Sequence, residues 1–234
     1  MAGVQVVCGA ERADAHGGLG PNDLWSVTRP TRLPLTAKEV ITEYPATVEV
    51  RTPDHLDNWR PLVQWILALP HLIIVGALGS VSSALAMVSW VMIVFTGSLP
   101  AGLADFQVMI MRYTTRAQLY AGFLHDTYPA FDFSTTDTGA GTDPVTVNVT
   151  PVLEQRNRLT VALRFIWVIP AALYLVLVAI IGTVCWIAGF FAVLFTGRWP
   201  ESLRSKVIAM QRVILRFDAY AWMLVDTYPP FSMS

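Results

Sequence analysis

Four arginines recur at a fixed interval, Arg112 and Arg116 reappearing as Arg212 and Arg216. Guanidinium groups four residues apart share one face of a helix and suit bidentate contact with a lipid phosphate or a phosphorylated ligand. Their plainer role is to snorkel at a headgroup layer and fix orientation. Asp126 and Asp226 each open the motif Asp-Thr-Tyr-Pro-x-Phe. A carboxylate there could serve as a general acid or base or hold a cation. Capping a local turn accounts for it more simply, with Pro129 and Pro229 stopping a helix. Tyr128, Phe131, Tyr228 and Phe231 then read as aromatics anchored at a membrane interface. His71 follows Pro70 inside an apolar run, where a polar residue is a functional candidate by default. Ala171 fills the matching place, which argues against a symmetric pathway or a shared metal site.

No residue set announces catalysis. Gly-x-Ser-x-Gly, a phosphate-cradling Gly-rich loop followed by Lys, and His-Glu-x-x-His are all missing from the sequence. Cys8 and Cys185 sit in unrelated settings, so neither a disulfide framework nor a metal-ligand spacing is readable. The expectation is a chain without catalytic, metal or cofactor-binding residues, and so not an enzyme.

The chain repeats itself with a period of 100. Phe95-Thr-Gly97-x-x-Pro100 returns as Phe195-Thr-Gly197-x-x-Pro200, and Pro70 maps onto Pro170. Between 95–131 and 195–231 there are 15 identities in 37 positions without a gap, which chance does not supply. Upstream, Thr47-Val-Glu-Val50 aligns with Thr146-Val-Asn-Val149, a β-branched alternation that predicts a short strand in each copy, the two able to pair. The boundaries are a tail over 1–43, a first repeat over 44–133, a polar Gly-containing linker over 134–143 and a second repeat over 144–234.

No Asp, Glu, Lys or Arg occurs over 61–104 or 165–197. A single helix over 62–96 would reach about 50 Å, against a hydrocarbon core of about 30 Å. Two tight crossings per copy are therefore expected, turning near Gly76–Ser83 and near Gly182-Thr183. Basic residues flank both runs and avoid the presumed turns, so the positive-inside rule puts the termini in the cytoplasm of a multi-pass plasma-membrane protein. The competing geometry is a re-entrant wedge that enters and leaves one leaflet. Gly97 and Gly197 are placed to end a helix, and Pro100 and Pro200 to open the next. Apolar residues at three/four spacing from Leu103 to Leu124, and again from Leu203 to Leu224, predict an amphipathic helix at the interface. The fold class is thus a mainly α membrane protein of two tandem repeats, each a short strand, a transmembrane helical hairpin and an amphipathic interfacial helix, with four transmembrane helices in all.

Composition agrees with lipid as the solvent: 54% of residues are hydrophobic, 14% charged, and mean hydropathy is +0.49. With a net charge of −1 and no basic block, nucleic acid is not an expected partner. Residues 1–35 carry scattered Gly and Pro and no apolar core for a signal peptide. They read either as a flexible tail or as translation from a start codon set too early.

Taken together, Arg60-Pro-Leu with Pro70, Phe95-Thr-Gly-x-x-Pro100 and Tyr128-Pro-Ala-Phe131 resemble a family of bacterial membrane proteins, common in actinobacteria, that carry a domain of unknown function. The second copy shows Arg158-Leu-Thr with Pro170, Phe195-Thr-Gly-Arg-Trp-Pro200 and Tyr228-Pro-Pro-Phe231. The resemblance implies location and architecture, and no activity. Three roles remain open: an accessory or scaffold subunit of a membrane assembly, packing against a partner or its own copies; a lipid-binding or membrane-shaping hairpin protein; and a small transporter or channel component.

Overall fold

The structure, a computed structural model, describes residues 44–134 and 143–233. The tail and most of the linker expected from the sequence lie outside the described residues. In chain order come β1 (Ala46–Val50), α1 (Arg60–Thr96), α2 (Ala101–Ala121), β2 (Val145–Val149), α3 (Arg158–Ala162), α4 (Arg164–Thr196) and α5 (Glu201–Ala221). The fold is mainly helical and built from two copies of one unit.

The expected hairpins do not form. Each apolar run is one continuous helix, α1 of 37 residues and α4 of 33. The small residues at 76–83 weaken a helix by about 1 kcal/mol per glycine but do not stop it. Ser80 and Ser83 donate back to the carbonyls of Gly76 and Gly79, at 3.2 and 2.9 Å, and so stay within the helical pattern. Among the described residues there are thus two helices long and apolar enough to cross a membrane, with mean hydropathies of 2.0 and 2.6 in their most apolar windows. The four expected are not found among the described residues.

Both long helices stop where glycine follows. Gly97 and Gly197 adopt φ of 80° and 66°, and their N–H groups reach back to Ile93 and Val193. Such a backbone costs an L side chain roughly 1–2 kcal/mol. Pro100 and Pro200, extended, precede α2 and α5.

The amphipathic helices are more deeply packed within the protein than their spacing predicts. From Gln107 onward α2 is buried on nearly every side, with Ile110, Met111, Tyr113, Ala117 and Leu119 in the core. It lies between β2 and α1, while α5 lies between β1 and α4. Three layers result: sheet, α2 with α5, then α1 with α4. Each strand packs on the helix of the other copy, so the two copies exchange strands. Val48, Val145 and Val147 turn one face of the sheet into the shared core, joining Val108, Leu119 and Leu215.

β1 and β2 pair antiparallel, as the two alternating segments allow, in a register that sets Val48 opposite Val147. Those are equivalent residues of the two copies, so a pseudo-twofold axis runs through this pair.

Candidate functional site

Gln64 and Arg164 are equivalent by the 100-residue period, and each clamps the start of a long helix to the turn ending the next amphipathic one. Gln64 Nε2 donates to the carbonyls of Tyr120 (2.7 Å) and His125 (3.0 Å). Arg164 Nη1 donates to the carbonyls of Tyr220 (3.1 Å) and Val225 (3.0 Å). The turns they read are built alike. Phe123 and Met223 take φ of 61° and 65°, and Leu124 and Leu224 bond back to the carbonyls of Leu119 and Ala219. These left-handed residues, rather than Pro129 and Pro229, terminate α2 and α5.

The second clamp carries more charge. Arg164 also reaches Asp226 at 2.5 Å, and its guanidinium lies 4.4 Å from the Tyr220 ring centre. Arg156, itself buried, bonds the same carboxylate and the carbonyl of Met223. Asp226 therefore holds two guanidinium groups instead of capping its own turn. Burial works to raise its carboxyl, but the bonds and charges of Arg156 and Arg164 outweigh it and hold Asp226 below the usual carboxylate range. An ionised carboxylate so occupied is poorly placed to move a proton. In the first copy Asp126 offers only its carbonyl, to Arg60 at 2.9 Å.

His71 is fully buried, its Nδ1 2.7 Å from the Tyr113 hydroxyl and its ring stacked 4.3 Å from Phe131. Tyr128 meets it edge-on at 4.9 Å. The Tyr-Pro-x-Phe segment thus folds back onto the long helix. In the second copy Tyr174 meets Phe231 edge-on at 5.2 Å, and no imidazole is involved.

The recurring arginines face the strand side. Arg116 pairs with Asp143 at 3.4 Å, just ahead of β2. Arg216 lies 5.6 Å from the ring of Tyr44, just ahead of β1, and Tyr44 donates to the carbonyls of Arg216 and Thr227. Each thus meets the leading residue of the strand packed on its helix. Arg212 borders a polar cleft with Arg51, Asp54, Glu201 and Arg204. Arg112 lies half-buried on α2. Phe95 and Phe195 are exposed, at 74% and 75%, on the outer faces of α1 and α4. The four arginines are thus not gathered into one site.

Where the start of α1 meets the end of α4, Trp65 stacks on Trp186 at 5.8 Å. Two apolar cavities, of about 340 and 260 Å³, share these indoles and extend to Leu72 and Met210 on one side and to Leu62 and Phe191 on the other. At the opposite junction Trp90 closes the gap by donating to the carbonyl of Val161 at 3.0 Å. Gln64, Arg156, Trp186 and Tyr44 escape a motif search, because none belongs to a repeated motif. Only Gln64 carried a signal, an isolated amide one period before a buried arginine.

A family model described as a domain of unknown function, DUF4389, matches residues 58–132 and again 158–233, together more than half of the chain. The chain belongs to the DUF4389 family. Gln64, Arg164, both glycine stops and both Tyr-Pro-x-Phe segments fall inside the two DUF4389 copies, whereas Arg156, β1 and β2 fall outside them. No curated protein and no solved structure matches the chain.

Proposed function

We propose that this chain is a non-enzymatic membrane protein that serves as an accessory or scaffold subunit of a larger assembly. The observation that carries the reading is the outer face of α1 and α4. Leu62, Ile66, Leu69, Ile73 and Phe95, with Ile166, Leu173, Ile180, Val184 and Phe195, are all exposed along helices that carry no charge beyond their first residues, Arg60 and Arg164. So large a contiguous apolar surface is unstable in water and stable against lipid or a second protein. Asp226, one of the residues that could do chemistry, is engaged by Arg156 and Arg164 at a helix end, which supports a structural role. The test is purification of a tagged chain from native membranes in mild detergent, with mass spectrometry of what co-purifies. A stoichiometric partner is expected, and recovery only as a free monomer would sink the accessory role.

A second reading, a lipid-binding protein, is favoured by the apolar cavities beside Trp65 and Trp186. Their combined size suits part of an acyl chain. A lipid recovered in fixed ratio and lost in Trp186→Ala would move the assignment there.

A further inference from the structure

Resting on the membrane reading above, we propose that the α1/α4 face is a seat for a single lipid leaflet, and that neither long helix passes to the far side of the membrane. The argument begins at the sheet. Val48 and Val147, equivalent residues, pair with each other in an antiparallel register, so the axis relating the copies stands perpendicular to the sheet.

The same operation relates α1 to α4. Leu56 N–H donates to the Gly197 carbonyl at 2.8 Å, and its counterpart Arg156 N–H donates to the Gly97 carbonyl at 3.2 Å. Asn58 reaches the Phe195 carbonyl at 3.5 Å, and Arg158 reaches that of Thr96 at 3.1 Å. The start of each long helix therefore meets the end of the other. Two antiparallel helices exchanged by a twofold axis run perpendicular to it, so both ends of α1, and both ends of α4, stand at one distance from the sheet.

The sheet decides which way the membrane lies. Its outer face exposes Glu49, Thr146 and Asn148, with Arg51 and Thr150 at the strand ends. Were α1 and α4 to run along the membrane normal, the sheet would sit midway through the bilayer with Glu49 in hydrocarbon, a cost of several kcal/mol. With the normal along the pseudo-twofold axis, the sheet meets water, α2 and α5 form the middle layer, and α1 and α4 lie in the lipid. That orientation also uses the apolar surface in full. Exposed apolar residues run from Leu62 to Phe95 and from Phe165 to Phe195, along helices of about 55 and 50 Å, far more than a bilayer of about 30 Å accommodates upright. A helix satisfies its own backbone, so it can rest at this depth without water.

The test is single-cysteine labelling in a Cys8→Ser, Cys185→Ala background, with a membrane-impermeant maleimide applied to intact cells and to inverted vesicles. Glu49→Cys reports on the sheet, Trp59→Cys on the start of α1, Ala101→Cys on the start of α2 just past the end of α1, and Ser80→Cys on the exposed middle of α1. The expected result is labelling of the first three from one and the same side, and protection of Ser80→Cys from both. Trp59→Cys and Ala101→Cys labelling from opposite sides would overturn the proposal in favour of a crossing helix. Ser80→Cys labelling from the side opposite Glu49→Cys would overturn it in favour of a crossing hairpin. A chain recovered in the soluble fraction with Ser80→Cys labelled there would remove the membrane reading itself.

Discussion

At the scale of single residues, the two glycine stops look alike in sequence and differ in surroundings. A Cβ on Gly97 would press on the flexible end of Arg158 at 3.2 Å, whereas one on Gly197 would meet the Leu56 carbonyl at 2.8 Å and Asn58 Oδ1 at 2.6 Å. Gly97→Ala is expected to cost about 1–2 kcal/mol from the positive φ alone, and Gly197→Ala more, through the added collision with backbone. Equal unfolding midpoints for the two variants in mild detergent would refute this. Asp218 carries a different liability. Burial pushes its carboxyl up to about 7, and no ion pair to it is found among the described residues. The folded state therefore holds a proton that the unfolded chain releases near pH 4, and stability from this group falls as pH rises from about 4 through 7. Asp218→Asn is expected to stabilise the protein at pH 8 by an amount on the order of 1–4 kcal/mol and to change little at pH 4. If parent and variant keep the same spacing at both pH values, the carboxyl titrates normally.

At the scale of elements, the two clamps perform one task with different chemistry. Arg164→Gln copies Gln64 and leaves Asp226 with Arg156, so a loss of about 1–2 kcal/mol is expected. Arg164→Leu strands the carbonyls of Tyr220 and Val225 while Asp226 keeps Arg156, and is expected to cost roughly 2–4 kcal/mol. Thermal unfolding of the two variants checks the order, and a Leu variant as stable as the Gln variant would rule the clamp out. The sequence made part of this architecture legible. The period of 100, the paired strands and the helical runs are written in residue types and spacings that act locally. Length set against bilayer thickness predicts hairpins, but Gly76 to Ser83, small and without proline, carries no stop. The burial of α2 and α5 was invisible for another reason. An amphipathic pattern says which face is apolar, not that strands from the other copy will cover the polar one. Arg156 and Arg164 lie 62–70 positions before Asp226, and only the fold joins them.

At the scale of the whole molecule, the strand exchange ties the copies together through something other than the linker. β1 reaches α5 and β2 reaches α2. A protease site placed between residues 135 and 142 and then cut should leave the halves co-migrating in mild detergent, since Tyr44, Val48, Val145 and Val147 still bind them. Separation of the halves on a sizing column would mean that covalent continuity, and not the exchanged strands, holds the fold. The same feature bears on symmetry. A chain with one copy would have its strand and no second helix layer for it to cover, and it would complete itself only on another molecule of its own kind. The pseudo-twofold axis thus gives one chain the internal geometry of a two-subunit dimer. Because both halves lie on one chain they need not be identical, and the contrast of a neutral amide at Gln64 with a guanidinium at Arg164 is an asymmetry that a symmetric homodimer could not keep on one side alone.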